Sequence, residues 1–328
     1  VIAMNPRAGA LGHEVGAVDF GTTDEGGYIE LDSTRRAHIW AFEADEDGNP
    51  DPTAHLGHYL WRQKVGNSGS DFTIKMPSGT PFTLSVKDTE GAAIGDGVYV
   101  GLRAFDQATR RWYFQGYHYV DAAGQLKSII GKYGYAWSWD RKNRYIQGRS
   151  FFRSQDVTDG AHTLTMALGK EMRLSLLADE DDYAIAQANA GEDEEVGQEV
   201  TGYVRAYCHL SRGWSRSYWT GSDGIADIKV CDLYSLFAWP DRRREDDSFL
   251  PAREFMQTYD ESDTDHTLEM RMAQEATVTV ADEDTLKGID DVRVVFYGDG
   301  KSYSQSSWTD EDGLTTGLLP LSGTTKFR

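Results

Sequence analysis

The stretch "DEDGNPD" sets oxygen-bearing side chains at every second position: Asp45, Asp47, Asn49 and Asp51. Calcium loops space their ligands this way, because a hard cation collects carboxylate and amide oxygens from one turn of chain. The distal bidentate Glu of a helix-loop-helix hand is missing, and Pro50 and Pro52 stiffen the segment. A solvated acidic turn is the competing reading, and calcium is the one cofactor the pattern suggests. His55 and His58 in "HLGH" lack further ligands at metal-site spacing. His162 and His266 stand at matching places in two similar phrases where a third has Phe72, so that position reads as packing or capping. Cys208 and Cys231, the two cysteines, exclude a four-cysteine zinc site and a disulfide-dense scaffold. They either pair across one domain or stay buried as free thiols. No P-loop, HExxH, GxSxG or dinucleotide glycine fingerprint occurs, and the chain reads as non-enzymatic.

The aromatic residues carry the stronger signal. Trp40, Phe42, Trp137, Trp139 and Trp239 recur at one spacing and are expected in the core. "RRWYFQGYHYV" cannot all be core, because successive strand residues point to opposite faces. Trp112, Tyr113, Tyr117 and Tyr119 are therefore candidates for an outward surface, joined by Trp214, Tyr218 and Trp219 of "RGWSRSYW". Outward Trp and Tyr with Arg between them suit either a protein contact or stacking on sugar rings.

These residues are positioned by a repeat. Met76, Met166 and Met270 close the phrases "DFTIKM", "HTLTM" and "HTLEM". Ten residues later "FTLSV", "MRLSL" and "ATVTV" end at Val86, Leu176 and Val280. A second landmark, a turn closed by glycine, falls at Gly27, Gly124, Gly224 and Gly313. Bulky aromatics follow three of these glycines at offsets of 13 and 15, while the fourth is followed by Lys326 and Arg328. The phrases alternate at period two and are punctuated by Asp-Gly and Gly-Gly, which predicts strands and turns. "DDYAIAQANAGEDEEVG" reads as a loop with at most one helical turn.

The fold class expected is all-β, a tandem array of Ig-like or prealbumin-like β-sandwich repeats. The boundaries are 1–77, a partial repeat missing its first strand; 78–168 and 169–272, complete repeats; and 273–328, a partial repeat missing its last strands. The phrase pairs are junctions, with "HTLTM" ending one sandwich and "MRLSL" opening the next. Short junctions predict a stiff rod. The order "TVTVADEDTLKGIDDVRVVFY…SWTDEDGLTTGLLP" resembles the carboxypeptidase-regulatory-like and collagen-adhesin B-type modules. The resemblance rests on Thr277 to Val280, Val292 to Phe296, Asp310 to Gly313 and Leu318 to Pro320. It implies prealbumin-like sandwiches used as stalk repeats of surface proteins. Some members of that family carry a Lys–Asn isopeptide bond; here Lys87 is matched by Leu177 and Ala281 in the other copies, which argues against one.

The chain has 328 residues with 53 acidic and 33 basic side chains, a net charge of -20. That charge repels phosphate backbones and anionic membranes, so nucleic acid is excluded as a partner. No apolar run reaches the roughly 18 residues of a membrane span. The function these features support is a non-catalytic stalk or filament-forming segment, extracellular or on the cell surface. Its partners are copies of itself or flanking repeats of one long chain. A carbohydrate-binding adhesin module is the alternative. The net charge opposes close packing, so assembly of copies is expected to strengthen with salt.

Overall fold

The computed structural model describes residues 2–4, 17–32, 36–44, 54–64, 70–108, 110–154, 157, 160–190, 197–241, 249–262, 264–297, 305–321 and 326–327. The calcium candidates Asp45, Asp47, Asn49 and Asp51 lie outside the described residues. The chain divides into two compact units, Val1–Leu168 with Ser211–Gly213, and Gly169–Leu210 with Trp214–Arg328.

The first unit begins with β1 (Ile2–Met4), β2 (Ala17–Phe20), β3 (Arg36–Ala41) and β4 (His58–Lys64). These form one sheet in the order β2-β1-β3-β4. There follow β5 (Thr80–Lys87), β6 (Val98–Asp106), β7 (Arg111–Tyr119), β8 (Gln125–Ile130) and β9 (Tyr133–Asp140). The unit closes with β10 (Tyr145–Ile146), β11 (Arg149–Arg153), β12 (Ala161–Thr165) and β13 (Ala167–Leu168). They build two facing sheets, β11-β9-β6-β7 and β12-β5-β8. Between them Leu84, Val86, Val98, Val100, Leu164 and Met166 are fully buried. The alternation read from "FTLSV" is the cause, since Phe82, Leu84 and Val86 all point to one face.

The second unit contains β14 (Lys170–Ala178), α1 (Glu180–Asn189), β15 (Gly202–Cys208), β16 (Gly213–Trp214), β17 (Tyr218–Trp219), β18 (Ile225–Val230) and β19 (Leu233–Pro240). It continues with β20 (Ala252–Thr258), β21 (Asp265–Met270), β22 (Ala273–Thr279), β23 (Arg293–Tyr297), β24 (Gln305–Trp308), β25 (Leu314–Pro320) and β26 (Lys326–Phe327). The sheet order β18-β14-β21 repeats β8-β5-β12, with an antiparallel partner on one side and a parallel one on the other. Cys208 at the end of β15 and Cys231 just after β18 have Cα atoms 5.8 Å apart and are joined by a disulfide that ties the two sheets together. The protein is an all-β chain of sandwiches.

The strand landmark and the turn-glycine landmark are bonded to each other. Val86, Leu176 and Val280 each donate their N–H to a turn glycine, to the carbonyls of Gly124, Gly224 and Gly313 at 2.7, 2.9 and 2.8 Å. Each also accepts from the connecting segment that follows, from the N–H groups of Ile94, Val200 and Ile289 at 3.0, 3.0 and 2.9 Å. The three glycines have φ of +70°, +69° and +74°. A side chain there would meet Val86 O at 2.7 Å, Leu176 O at 2.7 Å and Val280 O at 2.3 Å. Glycine alone meets both demands.

Two expectations are corrected. "DFTIKM" forms no strand, whereas β12 and β21 at the corresponding places do. Those two strands are held by parallel pairing with β5 and β14. Among the described residues no strand lies beside Asp71–Met76 in that role. The segment near Tyr183 is a ten-residue helix rather than a loop. Three acidic residues fill its first turn, where they suit the helix dipole, and Asp179 accepts the Asp182 N–H at 3.5 Å. Its anchor is an ion pair. Asp182 is fully buried and meets the Nε of Arg271 at 2.7 Å and its Nη2 at 3.1 Å; the Met272 N–H donates to it at 2.9 Å.

Two outcomes are expected. Gly124→Ala will lose about 1–3 kcal/mol through backbone strain alone, whereas Gly197→Ala, with open space around it, will change stability by less than about 0.5 kcal/mol in urea unfolding. Asp182→Ala will lose about 3–5 kcal/mol by removing the nearer of the two carboxylates that face the buried Arg271 guanidinium, Asp179 standing farther off at 3.7 Å, and Asp182→Leu with Arg271→Met will recover most of that. A single-variant loss below about 1 kcal/mol would show the pair to be incidental.

Candidate functional site

The outward aromatics are a continuous layer on one sheet of each unit. In the first unit the inward positions of β6 and β9 carry small or aliphatic groups such as Val100, Leu102 and Ala136, all buried. The outward positions are therefore the odd-numbered ones. Tyr99 stacks on Trp139 at 5.3 Å, and Trp137 stacks on Phe114 at 6.0 Å. Tyr117 stands edge-on to Trp137 at 6.1 Å, and Arg103 lies over the Trp137 ring at 5.6 Å. At the other edge Trp112 contacts Phe105 and Phe151, and Phe151 stacks on Tyr133. Trp112, Tyr117, Tyr119 and Phe151 are 44%, 56%, 60% and 59% exposed.

Trp137 and Trp139 thus belong to this outer layer and not between the sheets. Trp137 is buried, but by neighbouring rings and Arg103; Trp40, Trp139 and Trp239 are half-buried. The reason is the parity of the strand: Ala136 and Ser138 fill the inward positions beside them.

Tyr113 is a correction. It is 5% exposed and packs with Leu56, Ala104 and Ile129. Its neighbour Gln115 is also buried, accepting the Gly57 N–H at 2.7 Å and donating to Gly57 O at 3.1 Å. Strict alternation would put Tyr117 and Tyr119 on that same covered side. A bulge in β7 prevents it, where the register against β6 shifts between Leu102 and Arg103. Gly116 sits there with φ +99°, and the Trp40 ring occupies the place of its missing side chain. The bulge moves Tyr117 and Tyr119 to the face that already holds Trp112. Glycine inside an otherwise alternating strand was the available sign.

The second unit repeats the layer with changes. Tyr203 stacks on Trp239 at 4.9 Å and meets Trp219 at 5.3 Å, the counterpart of Tyr99 with Trp139 and Tyr119. Trp214 is half-buried against Tyr207 and Phe237, with Arg205 over it at 5.1 Å. Tyr218 is half-buried and points away from Trp219, which is 55% exposed. Ser217 stands where the first unit has Tyr117, both seven residues before the turn glycine. The loss of that ring opens a cleft of about 370 Å³ lined by Tyr203, Arg205, Ser217, Trp219 and Trp239.

His162 contacts the Ser150 hydroxyl at 2.9 Å and stacks on Phe152, and His266 meets Glu254 at 2.6 Å. Among the described residues no group of three or more His, Cys, Asp or Glu is placed to hold a metal ion. No helix among them is long and apolar enough to cross a membrane.

No family model matches the sequence, and no curated protein does. Among solved structures the chain is similar to the Bacillus anthracis TIE protein, at 10% identity and a TM-score of 0.22, over 87% of this chain and 51% of that one. It is similar to the shaft pilin SpaA from Lactobacillus rhamnosus GG at 9% identity and a TM-score of 0.22, over 59% and 97%. A Streptococcal ancillary pilin gives 9% identity and a TM-score of 0.20, over 73% and 87%. The chain spans about half the length of the TIE protein. Likeness this loose assigns no function.

His118 lies beneath the layer, its Nε2 2.7 Å from Gln115 O and its ring 6.0 Å from Trp40. Burial holds its pKa below the usual 6.5, outweighing the hydrogen bond to Gln115 O. The unfolded chain therefore takes up this proton at a higher pH than the folded one. Stability is expected to fall as the pH drops through about 6.5, and His118→Phe will flatten that part of the pH–stability profile. An unchanged slope in the variant would remove His118 as its source.

Proposed function

We propose that the chain is a non-catalytic structural segment of an extracellular or surface protein, built from two complete sandwich repeats at 78–168 and 169–272 flanked by two partial ones at 1–77 and 273–328, which assembles through its sheet faces. The observation that carries this reading is the exposed aromatic layer. A sandwich buries one face of each sheet; here the other face is also apolar, and Trp112, Tyr117, Tyr119 and Phe151 remain open to solvent. Contiguous exposed apolar surface marks an interaction site. Burying it stabilises a contact by about 25 cal/mol per Å². The disulfide between Cys208 and Cys231 supports an oxidising compartment. Copies of the chain are the partner this reading requires.

Stacking of a sugar ring is a second reading. The cleft beside Trp219 and Trp239 favours it, because it joins an aromatic platform to a guanidinium and a hydroxyl.

Sedimentation of the purified chain across a concentration series distinguishes the two. The structural reading expects concentration-dependent association that protects Trp112 and Tyr117 from oxidative labelling. A chain that stays monomeric throughout, with quenching of tryptophan fluorescence by saccharides, would overturn it in favour of the sugar site.

A further inference from the structure

The aromatic face of the first unit carries a charge opposite to that of the chain. On its strands β6, β9 and β11 the outward charged side chains are Arg103, Arg149 and Arg153, and the whole stretch Val98 to Ser154, which also includes β8 and β10 of other sheets, contains ten Lys and Arg against three Asp, a net of +7. The chain as a whole is at -20, so the other residues together carry -27. Arg103 and Arg153 are exposed and stand on the outer face, flanking Trp112 and Phe151. Among the described residues, no Asp or Glu occupies an outward position along β9 or β11.

A surface of the reverse kind lies in the second unit. Three turns meet at one end of the sheet formed by β22 and β25: residues 282–284, 290–291 and 310–312. The lock on Val280 brings them together, since Val280 N donates to Gly313 O and Ile289 N donates to Val280 O. Asp291 N also bonds Thr309 O. These turns consist of eight carboxylate residues, and all eight are exposed. Asp282 caps Thr285 at 2.8 Å and Asp310 caps Leu314 at 2.9 Å, which fixes the turns while leaving the charges in solvent. In their midst Leu286 is 80% exposed, held at φ +57°, and Ile289 is 39% exposed.

We propose that this acidic end docks on the basic aromatic face of a second copy of the chain. The assignment rests on the assembly reading above and names its surfaces. One side presents aromatics with guanidinium groups around them. The other presents two aliphatic side chains ringed by carboxylates. That is the anatomy of a protein interface, an apolar centre with a polar rim of opposite sign. The two surfaces are different patches of one molecule. Such a contact is head-to-tail, and it generates an open chain of copies unless the rotation closes a ring.

The chain-wide charge of -20 predicts assembly that strengthens with salt, whereas docking of opposite patches predicts the reverse. Light scattering and sedimentation of the full chain in a sodium chloride series read the sign. Association is expected to weaken at least tenfold between low and high salt. Arg103→Glu with Arg153→Glu should abolish it, as should Asp284→Lys with Glu311→Lys, with circular dichroism confirming that both variants fold. Mixing the two variants should restore association, because each then offers the other a surface of opposite sign. Association that rises with salt, or that survives both variants, would overturn the docking while leaving self-assembly standing. Absence of association at every salt concentration would overturn self-assembly itself, and the docking with it.

Discussion

The structure depends on a main-chain clasp at the turn glycine. A residue near the end of the first strand of a sandwich makes two main-chain hydrogen bonds, one to the turn glycine and one to the connection that follows. Val86 gives its N–H to Gly124 and its carbonyl to Ile94. One residue thereby ties together the first strand, the turn before β8 and the connection to β6. Side chains cannot substitute for this, because the bonds are backbone to backbone. The turn itself is set by Asp121, whose Oδ1 accepts from Ala123 and Gln125 at 2.9 and 2.7 Å. Asp24 and Asp310 hold their turns in the same way, and in the third turn Gly221 takes the Asp place while Asp223 accepts from Ile225. The abundance of Asp follows from this use, since a short carboxylate can reach back to its own backbone two and four residues on.

Once the clasp fixes where each strand begins, parity decides everything on the sheet. An aromatic at offset 13 or 15 from the turn glycine can point only to one side. In the first unit that side is outward, because Ala136 and Ser138 face the other sheet. The sequence spacing was therefore legible and its meaning was not. Regular recurrence of Trp137 and Trp139 looks the same whether the residues fill a core or tile an outer face. The small residues between them, Ala136 and Ser138, separate these cases. Tyr113 and Tyr117 show the same gap. Both are Tyr on one strand at even separation, yet one is covered and one is exposed, because Gly116 inserts a bulge between them.

Other features were legible for reasons equally local. Alternation, Asp-Gly turns and the methionine phrases gave strands and an all-β fold, since each depends on neighbours in the chain. The helix Glu180–Asn189 was not, because it has no apolar stripe to read. It is stabilised through Asp182 by Arg271, 89 residues away. The strand expected at "DFTIKM" failed for the converse reason, as local alternation was present but among the described residues a parallel partner was not. Pairing over long range is invisible to period counting.

Comparison of the two units shows how a repeated scaffold acquires distinct surfaces. The stacked pairs Tyr99–Trp139 and Tyr203–Trp239 keep ring separations of 5.3 and 4.9 Å, so the platform itself is retained. Around it, Tyr117 is replaced by Ser217 and Gly101 by Arg205. In the first unit the Trp137 ring lies over Gly101, where a side chain would approach it to 2.5 Å. Glycine there lets the large ring lie flat and leaves a closed aromatic pavement. In the second unit Phe237 takes the Trp137 place, and the smaller ring leaves room for the Arg205 side chain to cross to Trp214. A pavement suits a broad protein contact, in which many rings are covered at once. A cleft beside one guanidinium suits a smaller group. The two faces thus differ in their side chains and in their edge strand, where the single strand β7 of the first unit is matched by the two short strands β16 and β17 of the second, while the clasp at the turn glycine is kept in both.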